Sequence, residues 1–183
     1  MTGEATVLLA AVAAPEEDSS RLAGLFERHH ERLYRLARRL SRNADAARDL
    51  TQDTFVRAAR HLSRVPAGAS SEEAWLVRVM VNISRDGWRQ RANRAKYEGE
   101  VAALHPLPTA DPEAAVIART VVWDALAMLP PRRRAAIVLY ELEGESIPAI
   151  ARLLGIAQVT VRWHLSIGRR DLAAAIRGRR DRR

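Results

Sequence analysis

Residues 146–170 constrain the fold of this chain more than any other stretch. They read Ser-Ile-Pro-Ala-Ile-Ala-Arg-Leu-Leu-Gly-Ile-Ala-Gln-Val-Thr-Val-Arg-Trp-His-Leu-Ser-Ile-Gly-Arg-Arg. Ile147, Ile150, Ala151 and Leu154 recur with helical period and make one apolar face. Gly155 follows at once, where a helix that stops abruptly needs a residue free to turn left-handed. Ile156 plugs the corner. Gln158 then opens a second helix with Val161 and Leu165 facing inward, and Ala151 is small enough for two crossing helices to approach. The pattern is a helix-turn-helix, whose second helix lies in the major groove of DNA. Gln158, Thr160, Arg162, Trp163 and Arg169 remain on its other faces. A purely structural helical hairpin is the alternative. Against it stands the local charge: Pro131–Arg183 hold 12 Arg and 5 acidic residues, a more one-sided balance than a solvated bundle face carries.

The whole chain of 183 residues has a formal charge of +8, which calls for a polyanionic partner. Its 30 basic residues are all Arg except Lys96. The absence of Cys excludes disulfides, thiolate metal sites and thiol nucleophiles. The early apolar run Val7–Ala14 is too short to span a bilayer and has no basic flank, so no membrane insertion and a cytoplasmic location are expected.

Nearly all remaining periodicity is helical, and no convincing strand emerges. Leu22, Leu25, Phe26, His29, Leu33, Leu36 and Leu40 form a first amphipathic helix. Asp45 is the expected N-cap of a second, with Leu50, Thr54, Phe55, Ala58 and Leu62 inside. A third starts near Glu72, with Trp75, Leu76, Val79, Met80 and Ile83 on one face. Residues 97–113 contain Gly99, three prolines, four acids and no Lys or Arg, the composition of an extended linker. A helix over about 113–129 follows, then one from Pro130-Pro131 to about Leu142. The expected fold class is all-α: two small helical domains joined by a flexible acidic linker, the second containing the helix-turn-helix.

Two surfaces stand out in the first half. Arg78, Asn82, Arg85 and Arg89 are spaced by 4, 3 and 4, which aligns them in one stripe on the third helix, extended by Arg91, Arg94 and Lys96 with Trp88 alongside. Such a stripe suits phosphate contacts and capture of an unstacked base; a solvated face is the alternative. On the second helix Asp49, Gln52 and Asp53 share a face. Acidic groups are poor DNA contacts but could dock a basic protein surface; ordinary solvation helped by Arg48 and Arg57 competes with that reading. No catalytic constellation emerges: the five His residues are scattered, and there is no phosphate-binding Gly loop or nucleophile elbow. His164 sits on the reader helix, where a hydrogen bond to DNA is expected rather than a metal. No cofactor and no metal are expected, and the chain is read as not an enzyme.

Taken together, these motifs resemble the extracytoplasmic-function (ECF) group of the sigma-70 family of bacterial RNA polymerase sigma factors. Asp45–Phe55 resembles the family's acidic helix that grips the polymerase clamp. Ala74–Asp86 resembles its helix and loop that melt the −10 promoter element. Leu129–Arg134 and the helix-turn-helix resemble its −35 reader. The reader helix departs from the usual pattern at Ala157-Gln158-Val159 and Trp163-His164. The resemblance implies an N-terminal tail (1–20), sigma domain two (21–96), a linker (97–112), sigma domain four (113–177) and a basic tail (178–183). It implies core RNA polymerase and promoter DNA as partners, and the family often has an anti-sigma protein. It assigns Gln158, Thr160, Arg162, Trp163, Arg169 and Arg170 to the −35 element. Arg78, Asn82, Arg85 and Arg89 fall to the −10 element, and Asp49, Gln52 and Asp53 to the polymerase. The rival reading, a dimeric helix-turn-helix regulator, needs a sensor or receiver domain, and the strand–helix alternation of a receiver is missing from residues 1–110.

Overall fold

Helix α1, Glu16–Leu40, starts with three acids (Glu16, Glu17, Asp18) and ends with Arg38 and Arg39, the arrangement that complements the helix dipole at both ends. It therefore begins five residues ahead of the expected domain limit. The computed structural model describes residues 16–41, 43–98 and 122–180. The expected tail residues 1–15 and 181–183, linker residues 99–112 and the start of the helix expected from Glu113 lie outside that set. The buried face of α1 is Leu22, Leu25, His29, Leu33, Leu36, Ala37 and Leu40, nearly as its period predicts. Phe26 is only half-buried and stacks on His30 at 4.4 Å, with Phe55 4.9 Å away.

Helix α2, Ala44–Arg60, is capped by Asn43 and not by Asp45. The Asn43 side-chain oxygen accepts from the Ala46 N–H at 2.8 Å, while Asp45 lies inside the first turn and pairs with Arg48 at 2.6 Å. Both residue types cap well, but only Asn43 precedes the first helical residue with extended backbone. The buried Thr51 and Thr54 hydroxyls donate to the carbonyls of Ala47 and Leu50, so neither is left unpaired in the core.

A short 3₁₀ turn, Leu62–Arg64, leads to helix α3, which spans Ala69–Glu98. It starts three residues earlier than expected and runs unbroken through Gly87, so the loop that the resemblance implied within Ala74–Asp86 is helix. Its deepest residues are Leu76, Val77, Met80 and Val81, while Trp75, Val79 and Ile83 are half-buried. The buried face is turned from the expected one because α3 is the central helix, packed by α1 and α2 on one side and by C-terminal elements on the other. Glu72, buried in its first turn, accepts from His29 Nε2 at 2.9 Å and from Arg28 at 3.2 Å. Burial alone would raise its carboxyl pKa; the hydrogen bond from His29 and the charge of Arg28 outweigh that and hold it below the ordinary range.

Residues 122–128 form helix α4. Helix α5, Pro131–Ile137, has proline in its first turn and continues as a π turn, Val138–Leu142. Helix α6, Ile147–Leu154, is capped by Ser146, whose oxygen accepts from the Ala149 N–H. Helix α7, Gln158–Arg180, runs three residues into the expected tail. It packs closely at Gly168, where an added Cβ would stand 2.9 Å from both Arg133 Cγ and Ile137 Cγ1 of α5.

The described helices do not form two separate cores. Buried apolar residues from Leu22 to Leu165 make one continuous cluster. Arg134, itself buried, fixes the junction by donating to the carbonyl of Leu40 at 2.6 Å and of Leu129 at 3.2 Å.

Candidate nucleic-acid interface

The geometry of the reader helix begins with its turn. Gly155 adopts φ 64° and ψ 43°, the left-handed conformation its sequence position requires, and its N–H and that of Ile156 return to the Ala151 carbonyl. This aims α7 away from α6 while Val161 and Leu165 seal it to the core. What remains outward is a stripe of Gln158, Val159, Arg162, Trp163, Ser166, Arg169 and Arg170, all exposed. Five of the six expected −35 residues lie on it. Thr160 is half-buried at its margin.

The stripe is partly organised by α5. The Arg133 guanidinium lies 5.5 Å from the Trp163 ring centroid and is itself paired with Asp171. Arg169 is held by Glu141 at 2.7 Å and lies over Tyr140 at 5.2 Å, so any phosphate it contacts competes with a carboxylate. Its guanidinium pKa is raised, first by the hydrogen bond to Glu141. His164 does not join the stripe. It is half-buried, its Nδ1 has no hydrogen-bond partner, and burial followed by the charges of Arg133 and Arg132 pushes its pKa below the ordinary imidazole range. The His164 ring packs edge-on against Trp163 at 5.0 Å.

On α3, Arg78 and Arg89 are exposed, and Asn82 and Arg85 are half-buried between them. Arg85 touches Asp86 at 3.4 Å. Trp88 is half-buried beside the stripe; the side chains of Arg91, Arg94 and Lys96 lie outside the described part. Arg78 has a second neighbour that its spacing did not reveal. Its side chain lies across the helix-turn-helix corner, so close that a Cβ on Gly155 would be 2.7 Å from Arg78 Cδ.

On α2, Asp49 and Asp53 are exposed and Gln52 half-buried. Arg48 is engaged by Asp45. Partial burial, and then the charge of Asp49, raise the Asp53 carboxyl pKa, with Arg60 opposing. Two carboxylates in mutual repulsion form a face that a cationic partner would relieve.

Sequence reasoning missed the polar seam joining the two halves. Arg32 on α1 pairs with Glu73 on α3 and reaches Glu145 at 2.6 Å and Glu143 at 3.4 Å; Arg39 pairs with Glu143 and donates to the Leu142 carbonyl. Except for Arg32 and Glu73, these partners lie more than a hundred residues apart, and each taken singly looks like a solvated charge. Val159 was also missed, because an isolated valine in a helical pattern reads as core.

Among the described residues, no three His, Asp or Glu side chains could hold a metal ion, and no helix is long and apolar enough to cross a membrane. No strand occurs among them either. Residues 25–94 match the family described as Sigma-70 region 2, and residues 119–172 match Sigma-70, region 4. The chain is 39% identical over 151 residues to the ECF RNA polymerase sigma factor SigM of Mycobacterium tuberculosis, covering 81% of this chain and 74% of that one. It is 37% identical to the ECF RNA polymerase sigma factor SigE of Mycolicibacterium smegmatis, covering 81% of this chain and 58% of SigE. Its fold is similar to the sigma factor RpoE solved in complex with the anti-sigma factor NepR from Bartonella quintana, with a TM-score of 0.58, 26% identity, and coverage of 83% of this chain and 94% of RpoE. It is also similar to CnrH solved in complex with the cytosolic domain of CnrY, with a TM-score of 0.56, 25% identity, and coverage of 94% of this chain and 95% of CnrH. With both regions matched in order on an all-helical frame, the chain belongs to the ECF group of the sigma-70 family of RNA polymerase sigma factors.

Proposed function

We propose that this sigma factor reads promoters with two separate surfaces, α7 for the −35 element and the α3 stripe for the −10 element, while α2 holds core RNA polymerase. The observation that carries the reading is the outward stripe on α7, set on a correctly terminated helix-turn-helix and flanked by arginines. In this reading Gln158, Arg162 and Trp163 meet base edges, Thr160 lies at the contact margin, and Arg169 and Arg170 hold phosphates. Asn82, Arg85 and Arg89, with Arg78 once released from the Gly155 corner, hold opened DNA. Extruding a base costs a few kcal/mol, which stacking and phosphate contacts offset. Asp49, Gln52 and Asp53 dock the polymerase, which supplies the chemistry, so the chain acts in the cytoplasm without catalysis of its own. The domain limits that fit this division are 21–96 and 113–177. An anti-sigma protein is a fitting partner, given that RpoE above was captured with one.

The test is reconstitution. The purified chain with core polymerase should initiate from a promoter selected out of a library randomised at −35. Changing Asp49 and Asp53 to Arg should abolish polymerase binding with helicity intact. Unchanged binding by that variant refutes the α2 assignment, and absence of any −35 preference refutes the α7 assignment.

A further inference from the structure

Two apolar side chains sit where the −35 reader should touch DNA, and both leave half or more of their surface outside the core. Val159 is 69% exposed and Trp163 52%, one helical turn apart on the outward stripe. A β-branched residue is a weaker helix former than many alternatives, and Val159 buries little, so the fold gains little from valine there. Trp163 is not a loose side chain, since Arg133 covers it by a cation–π contact and is anchored in turn by Asp171. It is presented in a fixed pose, which lowers the entropy lost on binding. Gln158, Arg162 and Arg170 flank the pair with polar and positive groups.

The N-terminal residues of a reader helix are those that reach base edges in the major groove. Those edges display hydrogen-bond donors and acceptors with one apolar feature, the C5-methyl group of thymine. From this we infer that Val159 and Trp163 form a thymine-methyl pocket, so that the −35 element of this sigma factor includes a thymine, on either strand, recognised by its methyl group. The inference rests on α7 being the −35 reader and specifies one part of what it reads.

Replacing thymine by deoxyuridine removes the methyl and leaves every hydrogen-bonding group in place. The probe is a duplex promoter selected by the reconstituted holoenzyme from a −35 library, with each −35 thymine changed singly to deoxyuridine. Affinity should fall about fourfold at one or two positions, the effect of one lost buried carbon at about 0.8 kcal/mol. Deoxyuridine and thymine should become equivalent there for Val159→Ala or Trp163→Ala holoenzyme. The wild-type comparison needs no variant, so a folding defect in either variant leaves the test standing. A selected −35 element without thymine within the reader's reach overturns the inference. So does a normal −35 preference with no deoxyuridine effect, or a deoxyuridine effect that both variants retain; in these cases the −35 role of α7 survives. Loss of all −35 preference would refute that role itself.

Discussion

The contact between Gly155 and Arg78 can be measured, because a single methyl group probes it. Gly155→Ala brings two separable costs. The left-handed backbone at φ 64° disfavours any Cβ by about 1–2 kcal/mol. The new Cβ would also stand 2.7 Å from Arg78 Cδ and 3.3 Å from its Nε, closer than real contacts allow. Arg78 is flexible and exposed, so it would swing away, surrendering its 3.3 Å hydrogen bond to the Ala74 carbonyl and its contact with the turn, worth about 0.5–1.5 kcal/mol. The total is about 1.5–3.5 kcal/mol. In an Arg78→Ala background only the backbone cost remains, which predicts a coupling energy of about 0.5–1.5 kcal/mol in a double-mutant cycle. Gly155→Asn separates the two costs further, since Asn tolerates the left-handed region yet carries the same Cβ. It should destabilise less than Ala but couple equally to Arg78. Urea unfolding of the unmodified chain, the three single variants and the two double variants, followed by far-ultraviolet circular dichroism, reads these values. A coupling indistinguishable from zero would mean that the helix-turn-helix corner does not rest on α3 in solution.

Other expectations follow from the same packing. Glu143→Gln with Glu145→Gln should loosen the seam, because it removes three partly exposed ion pairs across it, each worth about 0.2–1 kcal/mol. Small-angle scattering should show a larger radius of gyration; an unchanged value at low salt would refute that role. Gly168→Ala should destabilise by about 1–3 kcal/mol, since overpacking against the buried Ile137 outweighs the ~0.5–1 kcal/mol that Ala gains over Gly within a helix; a rise in melting temperature would contradict the close crossing. Glu72 has a lowered folded-state pKa, so its contribution is complete above the unfolded carboxylate value near ~4.3 and fades as pH falls through the folded value. Glu72→Gln should therefore be less stable at neutral pH and show a shallower loss on acidification, and parallel pH–stability curves would refute the pairing.

What the sequence disclosed follows the range over which its signals act. The helix-turn-helix was legible because its determinants are local: a period of 3.6 on either side of one glycine, with Val161 and Leu165 buried as the period demands. The cap of α2 was misplaced because Asn43 and Asp45 are both good caps two residues apart, and backbone conformation alone separates them. The rotated face of α3 and the engagement of Arg78 were illegible for a different reason. Both depend on C-terminal elements packing on α3, and the ion pairs that accompany it join Arg32 and Arg39 to Glu143 and Glu145. A charged side chain in a helical pattern carries no mark of a partner a hundred positions away.

That seam also bears on how two reading surfaces can serve one promoter. Elements centred about 25 base pairs apart lie about 85 Å from each other along B-DNA at 3.4 Å per step. A 30-residue helix such as α3 is about 45 Å long, and α6, which precedes the reader, packs directly against it. On the reading proposed above, the surfaces on α3 and α7 could not both meet their elements in this arrangement, and promoter binding would require the halves to part. The seam is suited to parting. Arg32 and Arg39 are about a third exposed, so salt and solvent weaken their pairs. Arg32, Leu36, Val77, Leu139 and Glu143 line a small void there, and side chains facing a void forgo dispersion contacts that a filled core would supply. The acidic Asp49 and Asp53 remain exposed on α2, while Arg78, though exposed, rests against the Gly155 corner. On the proposed reading, the surface assigned to polymerase is free before the halves separate, and Arg78 leaves the Gly155 corner for melted DNA when they do.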